Sequence, residues 1–137
     1  MNIGVIGAGY VGLVTAAGLA ALGHRVRVGE ADATKLALLQ AGGVPLHEAG
    51  LEQVLTEVTG DGRLTFHGDN REAVSGSRVV VIALPTPPAP DGSADLSVIE
   101  AALCHLASAL EAGVTVAVKS TVPVGSAERF QRCLDSN

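Results

Sequence analysis

Met1-Asn-Ile-Gly-Val-Ile-Gly-Ala-Gly-Tyr-Val-Gly12 decides how this 137-residue chain folds. Residues 2–6 are a short apolar run with β-branched side chains at Ile3, Val5 and Ile6, the composition of a strand buried on both faces of a parallel sheet. Gly7, Gly9 and Gly12 then give G-x-G-x-x-G, and residues 13–22 continue as an alanine-rich helical stretch. In such a strand–turn–helix unit each glycine has its own task. Gly7 permits the tight turn, Gly9 lets backbone approach a pyrophosphate, and Gly12 lets the helix lie close to the strand. Tyr10 and Val11 complete the turn at the helix N-terminus, where unpaired N–H groups and a partial positive charge suit phosphates.

Alone, the glycine pattern is weak in a chain with 17 glycines. Its context strengthens it. The next apolar run, Arg25-Val-Arg-Val-Gly-Glu30, ends on a carboxylate 18 residues past Gly12 (30 − 12), close to the spacing of a ribose-binding acid. Glu30 is therefore expected to accept hydrogen bonds from the adenosine ribose and to repel a 2′-phosphate, which favours NAD over NADP. Arg27 lies three positions earlier and so on the opposite strand face. The competing readings are a glycine turn that binds nothing and a solvated strand-end carboxylate.

Bulk properties narrow the class. The chain is 47% apolar but only 2% aromatic, so its core is built from Val, Leu, Ile and Ala, as in a parallel sheet covered by helices. A net charge of −5 without a basic cluster argues against nucleic acid and anionic membranes as partners. Residues 3–23 are uncharged, yet they lack a basic leader and are broken by glycines, so strand plus helix explains them better than an export signal or membrane span. A cytoplasmic location is the resulting expectation. Cys104 and Cys133 have no metal-type spacing and are read as small buried thiols, while His24, His47, His67 and His105 are read as surface residues. No metal site is expected.

Further along, helical patterns over residues 33–40 and 51–58 precede a short strand at 64–66 and a brief helix at 70–74. Residues 78–84 are apolar almost throughout and read as a central strand. Pro85, Pro87, Pro88 and Pro90 then impose a loop without regular structure, at the strand end where open α/β sheets place ligands. A helix over 95–111, with Val98, Ile99, Ala102, Leu103, Leu106, Ala109 and Leu110 inward, leads to a last strand at 114–118 and a final helix to Leu134. Asp69 and Asp95 are expected helix caps. The sum is a single dinucleotide-binding domain over residues 1–137: a doubly wound, Rossmann-type α/β parallel sheet of about five strands, in order 3-2-1-4-5, with helices on both faces.

Four stretches together resemble the UDP-glucose/GDP-mannose dehydrogenase family. They are Gly7-Ala-Gly-Tyr-Val-Gly-Leu13, Val44-Pro-Leu-His-Glu-Ala-Gly-Leu51, Pro85-Thr-Pro-Pro with Asp91-Gly-Ser-Ala-Asp-Leu-Ser97, and Lys119-Ser-Thr-Val-Pro-Val-Gly125. The third is most similar to the UDP-glucose 6-dehydrogenase branch. The resemblance implies oxidation of a nucleotide sugar's C6 alcohol to a carboxylate with two NAD⁺, and homo-oligomerisation. It also implies that the catalytic cysteine, lysine and aspartate lie beyond Asn137, so that the chain is the cofactor-binding domain and is inactive alone. Neither Cys104 nor Cys133 sits in a matching motif.

By the same resemblance Lys35 shares the adenosine site with Glu30, Thr86 touches the cofactor, and Thr121 lies by the nicotinamide and a catalytic water in a supporting role. On residue chemistry alone, Lys35 reads as an exposed helix lysine, and both threonines as hydroxyls capping their own backbone. Glu30 replaces a more usual Asp, lengthening the side chain by about 1.5 Å of bond. His47, Ala49 and Ser126 replace Tyr, Pro and Thr, which leaves Glu48 and its loop without a clear substrate role. Alternatives are a sister enzyme acting on GDP-mannose or UDP-N-acetylmannosamine, and a non-catalytic nucleotide-binding module. The fifth strand, at an open sheet edge, is expected to promote self-association.

Overall fold

The computed structural model describes residues 1–135. Its strands are β1 (Asn2–Ile6), β2 (Arg25–Gly29), β3 (Leu64–His67), β4 (Val79–Ile82) and β5 (Thr115–Val118). Its helices are α1 (Tyr10–Ala21), α2 (Ala33–Gln40), α3 (Leu51–Gly60), α4 (Asn70–Val74), α5 (Ser97–Ala107) and α6 (Ser126–Asp135). All four strand pairings are parallel and the order is β3-β2-β1-β4-β5, as the alternation of strands and helices predicts. The order reverses between β1 and β4, so the connections that follow them leave toward opposite faces of the sheet and open a crevice at the carboxyl ends of the strands.

Strand alternation divides the apolar residues between two cores. Ile3, Val5, Val26, Val28 and Leu64 pack with Leu13 and Ala16 of α1 and with Leu55 and Val58 of α3. On the other face Ile6, Val80 and Ile82 pack with Val74, Ile99, Leu103, Leu106 and Phe130. The small helix α4 lies almost on the sheet: a Cβ at Gly4 would stand 3.0 Å from the Ala73 carbonyl oxygen. That close approach explains a glycine in the middle of a central strand.

Several boundaries and burial states differ from the sequence reading. Helix α1 begins at Tyr10 rather than residue 13, because Gly9 is its extended N-cap and the third motif glycine already lies inside the helix. Strand β4 is shorter than residues 78–84, and α5 ends at Ala107, where Ala109 turns back to the Leu106 carbonyl in a tighter turn. Val98 is 43% exposed, since the buried stripe of α5 runs through Ile99, Leu103 and Leu106. The same stripe leaves Cys104 exposed and Cys133, on α6, half-buried, against the expectation of buried thiols. His24 and His67 are half-buried rather than superficial. The proline loop is ordered: Pro88 bridges Ala94 antiparallel, and the Ala89 N–H donates to the Ser93 carbonyl at 2.7 Å. Asp69 caps α4 as expected, but the N-cap of α5 is Leu96, without a side-chain cap, and Asp95 one residue earlier accepts from the Ser97 N–H instead.

Candidate functional site

Gly7 follows β1 directly and has φ +98°, a conformation that L side chains resist. A Cβ there would also stand 2.7 Å from the Ala83 carbonyl oxygen. At Gly12 a Cβ would be only 1.9 Å from the Gly7 carbonyl oxygen, so the helix reaches the strand end only with hydrogen at that position. Gly9 is different. Its φ of −72° suits any residue, and among the described residues nothing beyond its own neighbours comes within 4 Å of its missing Cβ. Two of the motif's glycines are therefore required by the protein's own packing, while the third keeps a space clear.

That space faces the start of α1. The helix has no side-chain cap and no acidic residue in its first turn, whereas α2 and α4 are capped by Asp32 and Asp69. Its first N–H groups lack intrahelical partners, and its dipole is not offset by a carboxylate in the first turn. This is a terminus suited to an anion.

Glu30 comes next, one residue past β2. It is 7% exposed, and its carboxylate is held at three points. Oε2 accepts from the Ala8 N–H at 3.2 Å and from Lys35 Nζ at 2.8 Å, and Oε1 accepts from the Asp32 N–H at 2.8 Å. Burial alone would raise the carboxyl's pKa. The Lys35 ammonium and the Asp32 and Ala8 N–H groups outweigh burial and hold it below the ordinary carboxylate range. A carboxylate offers about four lone-pair sites, so Oε1 keeps acceptor capacity for a hydroxyl. Lys35 is thus an ion-pair partner, which corrects the reading from residue chemistry alone. Arg27 points away, its Nη1 donating to the Ser75 carbonyl at 3.0 Å.

On the far side of the crevice, the loops after β4 and β5 are tied together. The Thr86 hydroxyl donates to the Thr121 carbonyl at 3.0 Å, and the Ser120 hydroxyl to the Leu84 carbonyl at 2.6 Å. The cap on Thr86's own backbone is therefore not what forms: its hydroxyl bonds across to the neighbouring loop. Ser120 was not singled out from the sequence, although it stands beside Thr121 in the same Lys-Ser-Thr stretch.

A further missed contact closes the near side. The Tyr10 hydroxyl donates to Glu48 Oε2, joining the start of α1 to the loop before α3. The bond to Glu48, and then its negative charge, raise the Tyr10 phenol above its ordinary pKa. Tyr10 is the chain's single tyrosine, so its titration is directly readable in near-ultraviolet absorbance. Glu48→Gln is expected to lower that pKa; an unchanged titration curve would disprove the pairing.

Among the described residues no helix is long and apolar enough to cross a membrane. A cavity of about 670 Å³ lies away from the glycine turn, against β5 and α6 around Val116, Val118 and Phe130. Chemistry therefore locates the site better than volume does. Glycine turn, exposed helix terminus and ribose-spaced acid define a class, the Rossmann-type dinucleotide-binding domain.

Within that class the chain belongs to the UDP-glucose/GDP-mannose dehydrogenase family: residues 1–137 match its NAD binding domain. It is 46% identical over 134 residues to the UDP-glucose 6-dehydrogenase of Pseudomonas aeruginosa, covering 98% of this chain and 30% of that protein. A UDP-glucose dehydrogenase structure from Pyrobaculum islandicum superposes with a TM-score of 0.93 at 41% identity, over 98% of this chain and 32% of the other. The UDP-D-ManNAc dehydrogenase of Pyrococcus horikoshii gives the same TM-score at 32% identity, over 99% and 32%. The chain thus spans about a third of the length of the relatives it matches.

Proposed function

We propose that this NAD-binding domain serves a UDP-glucose 6-dehydrogenase, which oxidises the C6 alcohol of UDP-glucose to the carboxylate of UDP-glucuronate in the cytoplasm. The observation that carries the cofactor part is the Glu30 carboxylate, buried, ionised and oriented at the carboxyl end of β2. NAD⁺, when bound, would supply the hydride acceptor for the oxidation. The chain's own residues bind and orient. Gly7, Gly9, Tyr10, Val11 and Gly12 present backbone to the pyrophosphate at the α1 terminus. Glu30, steadied by Lys35, receives the adenosine ribose hydroxyls. Thr86 and Thr121, on the joined loops across the crevice, flank the nicotinamide end, where Thr121 supports a water. The nucleophile and the nucleotide-sugar contacts belong to another part of the enzyme. The preference for UDP-glucose over GDP-mannose or UDP-N-acetylmannosamine is supported by the 46% identity to a UDP-glucose 6-dehydrogenase.

Calorimetric titration tests the cofactor assignment. NAD⁺ is expected to bind at least tenfold more tightly than NADP⁺, about 1.4 kcal/mol, because the Glu30 charge opposes a 2′-phosphate. Equal or tighter NADP⁺ binding contradicts it. The substrate is tested by NADH formation. Residues 1–137 alone are expected to form none with UDP-glucose, whereas the enzyme carrying this domain is expected to show higher kcat/KM with UDP-glucose than with the two sister sugars. A reversed order assigns one of the sisters.

A further inference from the structure

Helices α5 and α6 lie side by side on the second sheet face, held there by Ile99, Leu103 and Phe130. Their facing surfaces meet in register. Arg129 on α6 pairs with Glu100 on α5, with Nη2 2.8 Å from Oε2. One turn further along both helices stand Cys104 and Cys133, each four residues on (104 − 100 and 133 − 129). The register set by that ion pair places the two cysteines on the facing surfaces of the two helices, and, after burial, the Cys104 thiol contributes to the raised pKa of Cys133. Residues 29 apart in sequence (133 − 104) are thus neighbours across a helix pair whose alignment the adjacent ion pair fixes.

We propose that Cys104 and Cys133 form a reversible dithiol–disulfide site that takes a low-molecular-weight disulfide as its oxidant and staples α5 to α6. Neither residue belongs to the cofactor crevice. Cys104 is the exposed member and the point of entry. Its thiolate attacks one sulfur of the small disulfide, forming a mixed disulfide and releasing one thiol. Cys133 then gives its proton to solvent and attacks the Cys104 sulfur. The mixed S–S bond breaks, the protein S–S bond forms, and the second small thiol leaves. Two electrons pass from the cysteine pair to the reagent. Burial first, and then the neighbouring Cys104 thiol, push the Cys133 thiol up, which assigns it the second step. The bond requires the sulfurs to approach to about 2.0 Å, and the ion-paired helices already face each other at these positions. The closed loop contains β5 and Thr121, so oxidation fixes the segment on one side of the crevice.

The test is incubation of the purified protein in glutathione redox buffers, acid quenching, non-reducing trypsin digestion and mass spectrometry. The peptide between Arg78 and Lys119, which carries Cys104, is expected to appear joined to the peptide beginning at Cys133, in monomeric protein, and to separate on reduction. The melting temperature of the oxidised form is expected to exceed that of the reduced form. In C133S, glutathione is expected to accumulate on Cys104. Glutathione on both cysteines without a cross-link at equilibrium, or a cross-link confined to covalent dimers, would overturn the proposal.

Discussion

Gly12→Ala is expected to cost the fold about 3 kcal/mol, whereas Gly9→Ala is expected to change stability by less than about 0.5 kcal/mol and to weaken NAD⁺ binding at least tenfold. The contrast follows from what each added methyl would meet. At Gly12 it would stand 1.9 Å from the Gly7 carbonyl oxygen and 3.2 Å from the Ala83 Cβ. Neither neighbour is the far end of a flexible side chain, so helix and strand must separate and the motif turn with them. At Gly9 the backbone conformation is ordinary and the space is open. An alanine there disturbs nothing in the protein but occupies the approach of the pyrophosphate. Urea unfolding and calorimetry on the two variants separate the roles. Wild-type NAD⁺ affinity in Gly9→Ala would remove the pyrophosphate from that space.

Glu30→Gln is expected to lower NAD⁺ affinity by ten- to a hundredfold and stability by about 2 kcal/mol, the range of losing charge-assisted hydrogen bonds. The amide has nearly the same shape, but its NH₂ must face a donor, the Ala8 or the Asp32 N–H, and Lys35 loses its counter-charge. Lys35 is 32% exposed and can turn to water, which keeps the loss below that of a fully buried pair. The effect depends on pH. A carboxyl whose pKa is lowered on folding stabilises the protein above its unfolded value, ordinarily 4.5, and that contribution is lost as pH falls through the folded value. The stability gap between wild type and Glu30→Gln is therefore expected to be full at neutral pH and to close below pH 4.5. A gap that persists unchanged into acid would show that Glu30 is not held as an ionised partner.

The parts of this molecule legible in its sequence are those set by local pattern. β-Branched runs and glycine spacing located the strands, the glycine turn and Glu30, because each depends on residues close together in the chain. Strand order followed from the crossover rules for alternating strands and helices. The partners of those residues were less legible. Glu48 lies 38 residues from Tyr10, and nothing in a loop carboxylate advertises the phenol it meets. Lys35 is five residues from Glu30, yet a helix lysine reads as exposed until the carboxylate is seen turned back toward it. The Thr86–Thr121 link and the Cys104–Cys133 neighbourhood depend on how adjacent crossover units pack, which periodicity does not encode. Val98 shows the limit of helical periodicity: one residue off the stripe, an apolar side chain faces water.

The most direct measurement is a crystal structure grown with excess NAD⁺. The pyrophosphate is expected against the N–H groups opening α1, above Gly9, with the adenosine ribose hydroxyls on Glu30 and the nicotinamide toward Thr121. Dinucleotide density anywhere else, or a ribose turned away from Glu30, would contradict the assignment of this crevice.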